Sequence, residues 1–316
     1  MVDGAASEIS VSIGGRDFCI KQSPGLLHSS RSAGTTGAAL WRSTQRLAEW
    51  FAMKVNPLFQ CGLVDSKSIV LELGSGVAGL LPLLLAPRVA SYCSTDQAYT
   101  IKLLRENIDA NSASNSSPSS RATRHRKGSE PLLSSFAGSG NLRVAALDWE
   151  LDDLKYFLSS QDLSDGADLV IASDCVYNYH LITPLVQTCV DICRARSDGR
   201  RPTLCLVAQQ LRQPDVFEEW LSAFSKHFTV WRLTDSVMGP ALAPEAGYVV
   251  HPPTPPSSPE SRSFAASPSL ICSVADPAES GVERTCPGGG TAHHNGSPTQ
   301  LQRLPAPLVT CLYCHN

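Results

Sequence analysis

Four short clusters in this 316-residue chain gather the side chains best suited to hold a ligand and act on it. The first, Gly74-Ser75-Gly76-Val77-Ala78-Gly79, lies between an apolar run ending at Leu73 and another opening at Leu80. Glycines in such a turn serve separate ends: a sharp reversal, an approach of backbone to ligand with no Cβ in the way, and close packing of the following helix. Twenty residues beyond Gly76, a second strand-like run ends at Asp96, where a carboxylate can take both hydroxyls of a ribose. The other two clusters, Asp148-Trp149 and Ser173-Asp174-Cys175-Val176-Tyr177, also close apolar runs. The glycine spacing alone fits the dinucleotide fingerprint, so it does not name the ligand.

These clusters need a frame that brings chain segments far apart in sequence to one place. Residues 69–73, 90–95, 142–146, 168–172, 203–207 and 228–233 read as strands. Helices are predicted over 43–51 with Ser43 as cap, 77–85, 99–108, from the Thr183-Pro184 cap, and from Pro214. Strand and helix alternate, the order of a parallel sheet covered on both faces. A short seventh strand at 247–250 would complete an antiparallel pair at the sheet edge. In open sheets of this kind, ligands sit outside the carboxyl ends of the strands, and all four clusters fall there. Trp41, entering the first of these helices, is placed to line the same cleft. Residues 9–20 alternate around Gly14-Gly15 as a hairpin, which would cover an edge of the main sheet.

Composition sets the domain limits: an N-terminal extension over 1–36, one domain over 37–250, and a tail over 251–316. The tail holds half of the chain's 22 prolines and no amphipathic run, which predicts disorder. Its Cys311-Leu312-Tyr313-Cys314-His315 has haem-attachment spacing, set aside because such attachment requires an export context. No metal site is expected. Residues 112–141 read as a disordered, serine-rich insertion; its basic cluster, Arg121 to Lys127, predicts a solvated loop rather than a nucleic-acid arm. A net charge of −3 provides no field toward nucleic acid or membrane, and no run is long enough to span a bilayer. Without a secretory signal, and with 11 cysteines scattered through predicted strands and helices, the chain reads as a cytoplasmic protein with reduced thiols, the nucleus being the alternative.

The stretches Leu71-Glu72-Leu73-Gly74-Ser75-Gly76-Val77, Thr95-Asp96-Gln97, residues 144–150 and Ser173-Asp174-Cys175-Val176-Tyr177-Asn178 together resemble the seven-β-strand S-adenosylmethionine-dependent methyltransferases. Within that family they resemble the lysine-methylating branch that acts on ribosomal proteins in fungi, whose Asp-x-x-Tyr signature matches Asp174 and Tyr177. The resemblance covers about residues 35–250. It implies an α/β Rossmann-like fold with a seven-stranded, mostly parallel sheet in the order 3-2-1-4-5-7-6. It implies S-adenosyl-L-methionine as cofactor, with Gly74, Ser75 and Gly76 beneath its methionine and ribose and Asp96 on the ribose hydroxyls. Trp149 would pack on the adenine with Asp148 nearby, and Ser173 and Trp41 would complete the pocket. Asp174 and Tyr177 would serve catalysis, Asp174 by orienting the substrate amine. The implied partner is a large-subunit (60S) ribosomal protein, with an elongation factor or chaperone as alternative substrate and a monomer as the working state. Two rivals share part of the pattern: a nicotinamide-dependent oxidoreductase, which leaves Leu147-Asp148-Trp149 without a role, and a methyltransferase-like scaffold without chemistry.

Overall fold

The computed structural model describes residues 1–27, 35–112, 140–196, 202–210 and 212–233, and the backbone of 309–314. The elements are β1 (Glu8–Ile13), β2 (Arg16–Lys21), α1 (Pro24–Leu27), α2 (Arg42–Phe51), α3 (Pro57–Gln60), β3 (Ile69–Leu73), α4 (Leu80–Leu85), β4 (Ser91–Asp96) and α5 (Ala98–Ser112). There follow β5 (Leu142–Ala146), α6 (Leu154–Ser160), β6 (Leu169–Ser173), α7 (Ile182–Arg194), β7 (Leu204–Gln210), α8 (Pro214–Ser225), β8 (Val230–Arg232) and β9 (Val309–Cys314). Every residue of β6 and β7 is buried, as a strand covered on both faces requires.

The main sheet runs β5-β4-β3-β6-β7-β9-β8, and all its ladders are parallel. Alternate side chains divide between two cores. Val70, Ile171 and Leu206 join α2, α4 and α5 on one face, while Leu71, Val170 and Cys205 join α6, α7 and α8 on the other. In the second core Trp220 packs against Phe217 and Phe224 at centroid distances of 5.3 and 4.9 Å. No helix among the described residues is long and apolar enough to cross a membrane.

Several expectations are corrected. The N-terminal hairpin forms but does not cover a sheet edge; it docks on α5. Asn111 accepts from the Cys19 N–H and donates to the Cys19 carbonyl, and Asn107 does the same for Lys21, each bond 2.9 Å. Two amides one helical turn apart thus satisfy the open edge of β2. Asn107 Nδ2 also reaches the Val77 carbonyl at 2.7 Å, tying the hairpin to the glycine turn. Helix α4 starts at Leu80 rather than Val77, because Gly79 is left-handed at φ +67°. Helix α2 begins at Arg42 with Trp41 in the capping position, and Ser43 makes no cap bond. Ahead of α7, Asn178 rather than Thr183 caps a 3-10 turn over Tyr179–Leu181. The expected strand at 247–250 lies outside the described residues. So do residues 113–139, which include the basic cluster, and all of the proposed tail up to residue 308. The last strand is instead β9, drawn from the stretch predicted to be disordered and inserted between β7 and β8 in parallel rather than antiparallel fashion.

Within β3 one side chain breaks the apolar pattern. Glu72 is buried in the sheet, its Oε2 accepting from Tyr92 Oη at 2.9 Å and Ser94 Oγ at 2.8 Å. Burial pushes its carboxyl from the ordinary 4.5 up to about 7, against the pull of those two hydroxyls. The folded state therefore holds a proton that the unfolded chain releases earlier. This contribution to stability is full below pH 4.5 and is lost as pH rises through 7, by about 3 kcal/mol. Denaturant melts from pH 4.5 to 8 are expected to show that decline in the native chain and its absence in Glu72→Gln; parallel curves would refute it.

Candidate active site

The four clusters converge on one cleft, open to solvent, at the carboxyl ends of β3, β4, β5 and β6. Its wall contains Trp41, Gly74, Ser75, Gly76, Asp96, Asp148, Trp149, Ser173, Asp174 and Tyr177, which is every residue singled out from the sequence.

The glycine turn forms one wall by its lack of side chains. Gly74 has φ +66°, and a Cβ there would lie 2.6 Å from Cys175 Sγ and 3.4 Å from the Trp149 ring. Gly76 has φ +63°, and its Cβ would come within 3.2 Å of the Gly37 carbonyl, which itself accepts from Val77 N at 2.9 Å. Ser75 is fastened to β4, its N–H and Oγ both donating to the Thr95 carbonyl. Asp96 is buried, with Oδ2 accepting from Gly76 N–H and Oδ1 from Gln97 N–H, each at 2.7 Å. Burial raises its pKa, and those N–H groups and Thr100 hold it back. Opposite, Trp149 presents a buried Nε1 that has no partner. Asp148 Oδ1 is engaged locally, accepting from Glu150 N–H at 3.0 Å. Ser173 Oγ lies 3.0 Å from Thr44 Oγ1, fixing α2 to the end of β6.

At the other end of the cavity, Asp174 follows β6 in a left-handed backbone at φ 60°, its N–H donating to the Ala208 carbonyl at 2.7 Å. Oδ1 accepts from Arg212 Nη2 at 2.7 Å and Gln209 Nε2 at 3.0 Å, whereas buried Oδ2 has no partner. Burial raises the Tyr177 hydroxyl pKa, and the Thr36 side chain holds it back. Cys175 beside them is no nucleophile: burial lifts its thiol well above 9.0, and Sγ donates to the Leu73 carbonyl.

Thr36, Gly37, Thr44, Tyr99 and Cys175 line the cavity without having been foreseen. Cys175 stands inside the Asp174–Tyr177 motif. Gln209 and Arg212 stand at the carboxyl end of β7, so the strand-end rule that found the other clusters pointed to them as well. The segment carrying Thr36 and Gly37 has no motif; only the contact of Gly37 with the glycine turn reveals it.

A parallel sheet with this glycine turn, a strand-end acid and an aromatic ring across one cavity is a nucleoside-binding arrangement of doubly wound α/β proteins. Residues 21–124 and 133–226 match the family model described as lysine methyltransferase, and the chain belongs to that family. Ribosomal lysine N-methyltransferase 5 of Candida glabrata is 28% identical over 248 residues, covering 67% of this chain and 70% of its own. The protein of the same name from Zygosaccharomyces rouxii is 30% identical over 227 residues, 65% of this chain and 69% of its own. A Schizosaccharomyces pombe protein named diaminohydroxyphosphoribosylamino-pyrimidine deaminase is 32% identical over 232 residues, 73% of this chain; the match spans only 47% of that protein's length. Among solved structures, a Streptococcus mutans methyltransferase aligns over 71% of this chain and 48% of its own with 12% identity and a TM-score of 0.40.

Proposed function

We propose that the chain is a protein-lysine N-methyltransferase that uses S-adenosyl-L-methionine and acts on a ribosomal protein of the large subunit. The observation that supports the reading is that one cavity is lined both by Asp96 and Trp149, suited to a nucleoside, and by Asp174, whose Oδ2 has no donor and suits an amine. The residues present fit the cofactor. A glycine cradle has no room for Cβ atoms, a buried acid suits ribose hydroxyls, and the Trp149 ring, with its unpartnered Nε1, offers an aromatic face to adenine. The relatives named ribosomal lysine N-methyltransferase 5 support the ribosomal substrate.

When bound, the cofactor supplies an electrophilic methyl group; what the protein must provide is alignment and an uncharged amine. A lysine side chain with a pKa of about 10.4 is charged at pH 7, and removing its proton costs roughly 4–5 kcal/mol. The apolar surface that Trp41, Tyr177 and Leu181 give the wall disfavours the charged form. Asp174 Oδ2 accepts an N–H of the neutral amine and so directs its lone pair, while Tyr177 and Thr36 close the wall. In calorimetry the chain is expected to bind S-adenosylhomocysteine and not NAD; the reverse would overturn the assignment. With labelled cofactor, a ribosome-containing extract should be methylated and a ribosome-depleted one should not. Asp174→Ala should lower that transfer about a hundredfold while binding S-adenosylhomocysteine as before; undiminished transfer would remove Asp174 from the chemistry.

A further inference from the structure

Arg212 spans two parts of the site. Its guanidinium pairs with Asp174 Oδ1 at 2.7 Å and lies over the Trp41 ring at 4.4 Å from the centroid. Trp41 Nε1 in turn donates to the Thr36 carbonyl at 2.8 Å. Three segments, those before α2, after β6 and after β7, are thus joined into a rim, with Arg212 as the cation paired to Asp174. The Asp174 side chain is 1% exposed, so its charge acts in a poorly screened place.

We propose that Arg212 is a positioning residue that neutralises Asp174 and leaves Oδ2 as an acceptor with no net charge behind it, so that the rim takes the neutral amine and rejects the ammonium. The inference rests on the lysine reading of the site. Without Arg212, a lone buried carboxylate would hold the protonated amine, which has no lone pair to react. The proton of the incoming lysine is left in solvent before binding. The other titratable groups that interact with the pair are the Met1 amine, with both partners, and Cys175, with Asp174; Arg42 acts on the Met1 amine, and Tyr177 and Asp96 on Cys175. Burial keeps the Cys175 thiol and the Tyr177 hydroxyl protonated, but it lowers the Met1 amine from 8.0, so every protein titrated below carries an acetylated N-terminus.

The probe is n-butylamine, titrated into the full chain loaded with S-adenosylhomocysteine and followed by the indole N–H resonance of Trp41. In the native protein its apparent affinity should rise about tenfold per pH unit between 8 and 9, tracking the neutral amine. In Arg212→Gln it should be at least tenfold tighter at pH 8 and nearly independent of pH. Arg212→Lys, which keeps the charge, should restore the native slope. If Arg212→Gln fails to fold because Asp174 is left unpaired, the double variant Arg212→Gln/Asp174→Asn buries no lone charge, and it should regain the native slope. Equal slopes for the native protein and Arg212→Gln, or a flat profile in the double variant, would overturn the proposal. Failure of the native chain to bind S-adenosylhomocysteine in calorimetry would instead defeat the lysine methyltransferase reading itself.

Discussion

Replacing Asp96 by Ala is expected to weaken S-adenosylhomocysteine binding about a hundredfold or more. Each hydrogen bond to a charged group contributes about 1.5–3 kcal/mol, and a ribose diol presents two hydroxyls to this carboxylate. The loss has a second source in the protein. Asp96 Oδ2 and Oδ1 accept from the Gly76 and Gln97 N–H groups at 2.7 Å, and in the Ala variant both donors are stranded at the cavity wall. Asp96→Asn should fall between the two, since it keeps one acceptor but points an amide N–H at one of those donors. Calorimetry of the three proteins, with thermal melts to show that each is folded, checks the order. Equal affinities would mean that the ligand does not rest on this acid.

Gly74→Ala should be nearly as damaging, through sterics rather than charge. A left-handed residue with a side chain costs roughly 1–2 kcal/mol, and here φ is +66°. The added methyl would also lie 2.6 Å from Cys175 Sγ, which is buried and bonded to the Leu73 carbonyl. Both stability and S-adenosylhomocysteine affinity should fall, the latter at least tenfold. The double variant Gly74→Ala/Cys175→Ala relieves the contact with sulfur but not the backbone strain, so it should recover part of the melting temperature and less of the affinity. A single variant that melts and binds like the native chain would show that the turn tolerates a Cβ and is no cradle.

These predictions depend on residues that were legible at different levels. Strands β6 and β7, and β3 apart from Glu72, stand out in the sequence because a strand buried on both faces is mostly apolar, and each ends where polar residues begin; β4, with Ser91, Ser94 and Thr95, is marked by its β-forming residues and by Asp96 at its end. The glycine turn and Asp96 could be paired by their spacing alone, since β3, the turn, α4 and β4 are consecutive. Helix starts were less legible. Whether α4 begins at Val77 or Leu80 depends on the backbone angle of Gly79, which closes against Ile108 of α5. The docking of the hairpin through Asn107 and Asn111 has no local mark either, because a helix-surface asparagine looks the same whether it meets water or a strand edge.

Local chemistry, then, is written in the chain itself: which runs form strands, which turn admits a ligand, and which ten side chains belong together at the strand ends. It is so because periodicity and glycine spacing act over a few residues, and parallel topology delivers every carboxyl end to the same rim. Tertiary structure alone decided the rest. It brought Arg212 from beyond β7 onto Trp41 and Asp174, occupied one oxygen of that acid and left the other without a donor. It also drew residues 309–314 into the sheet beside β7, about a hundred residues earlier in the chain. Contacts between distant segments follow from how the two cores pack, and no short stretch of sequence carries that information.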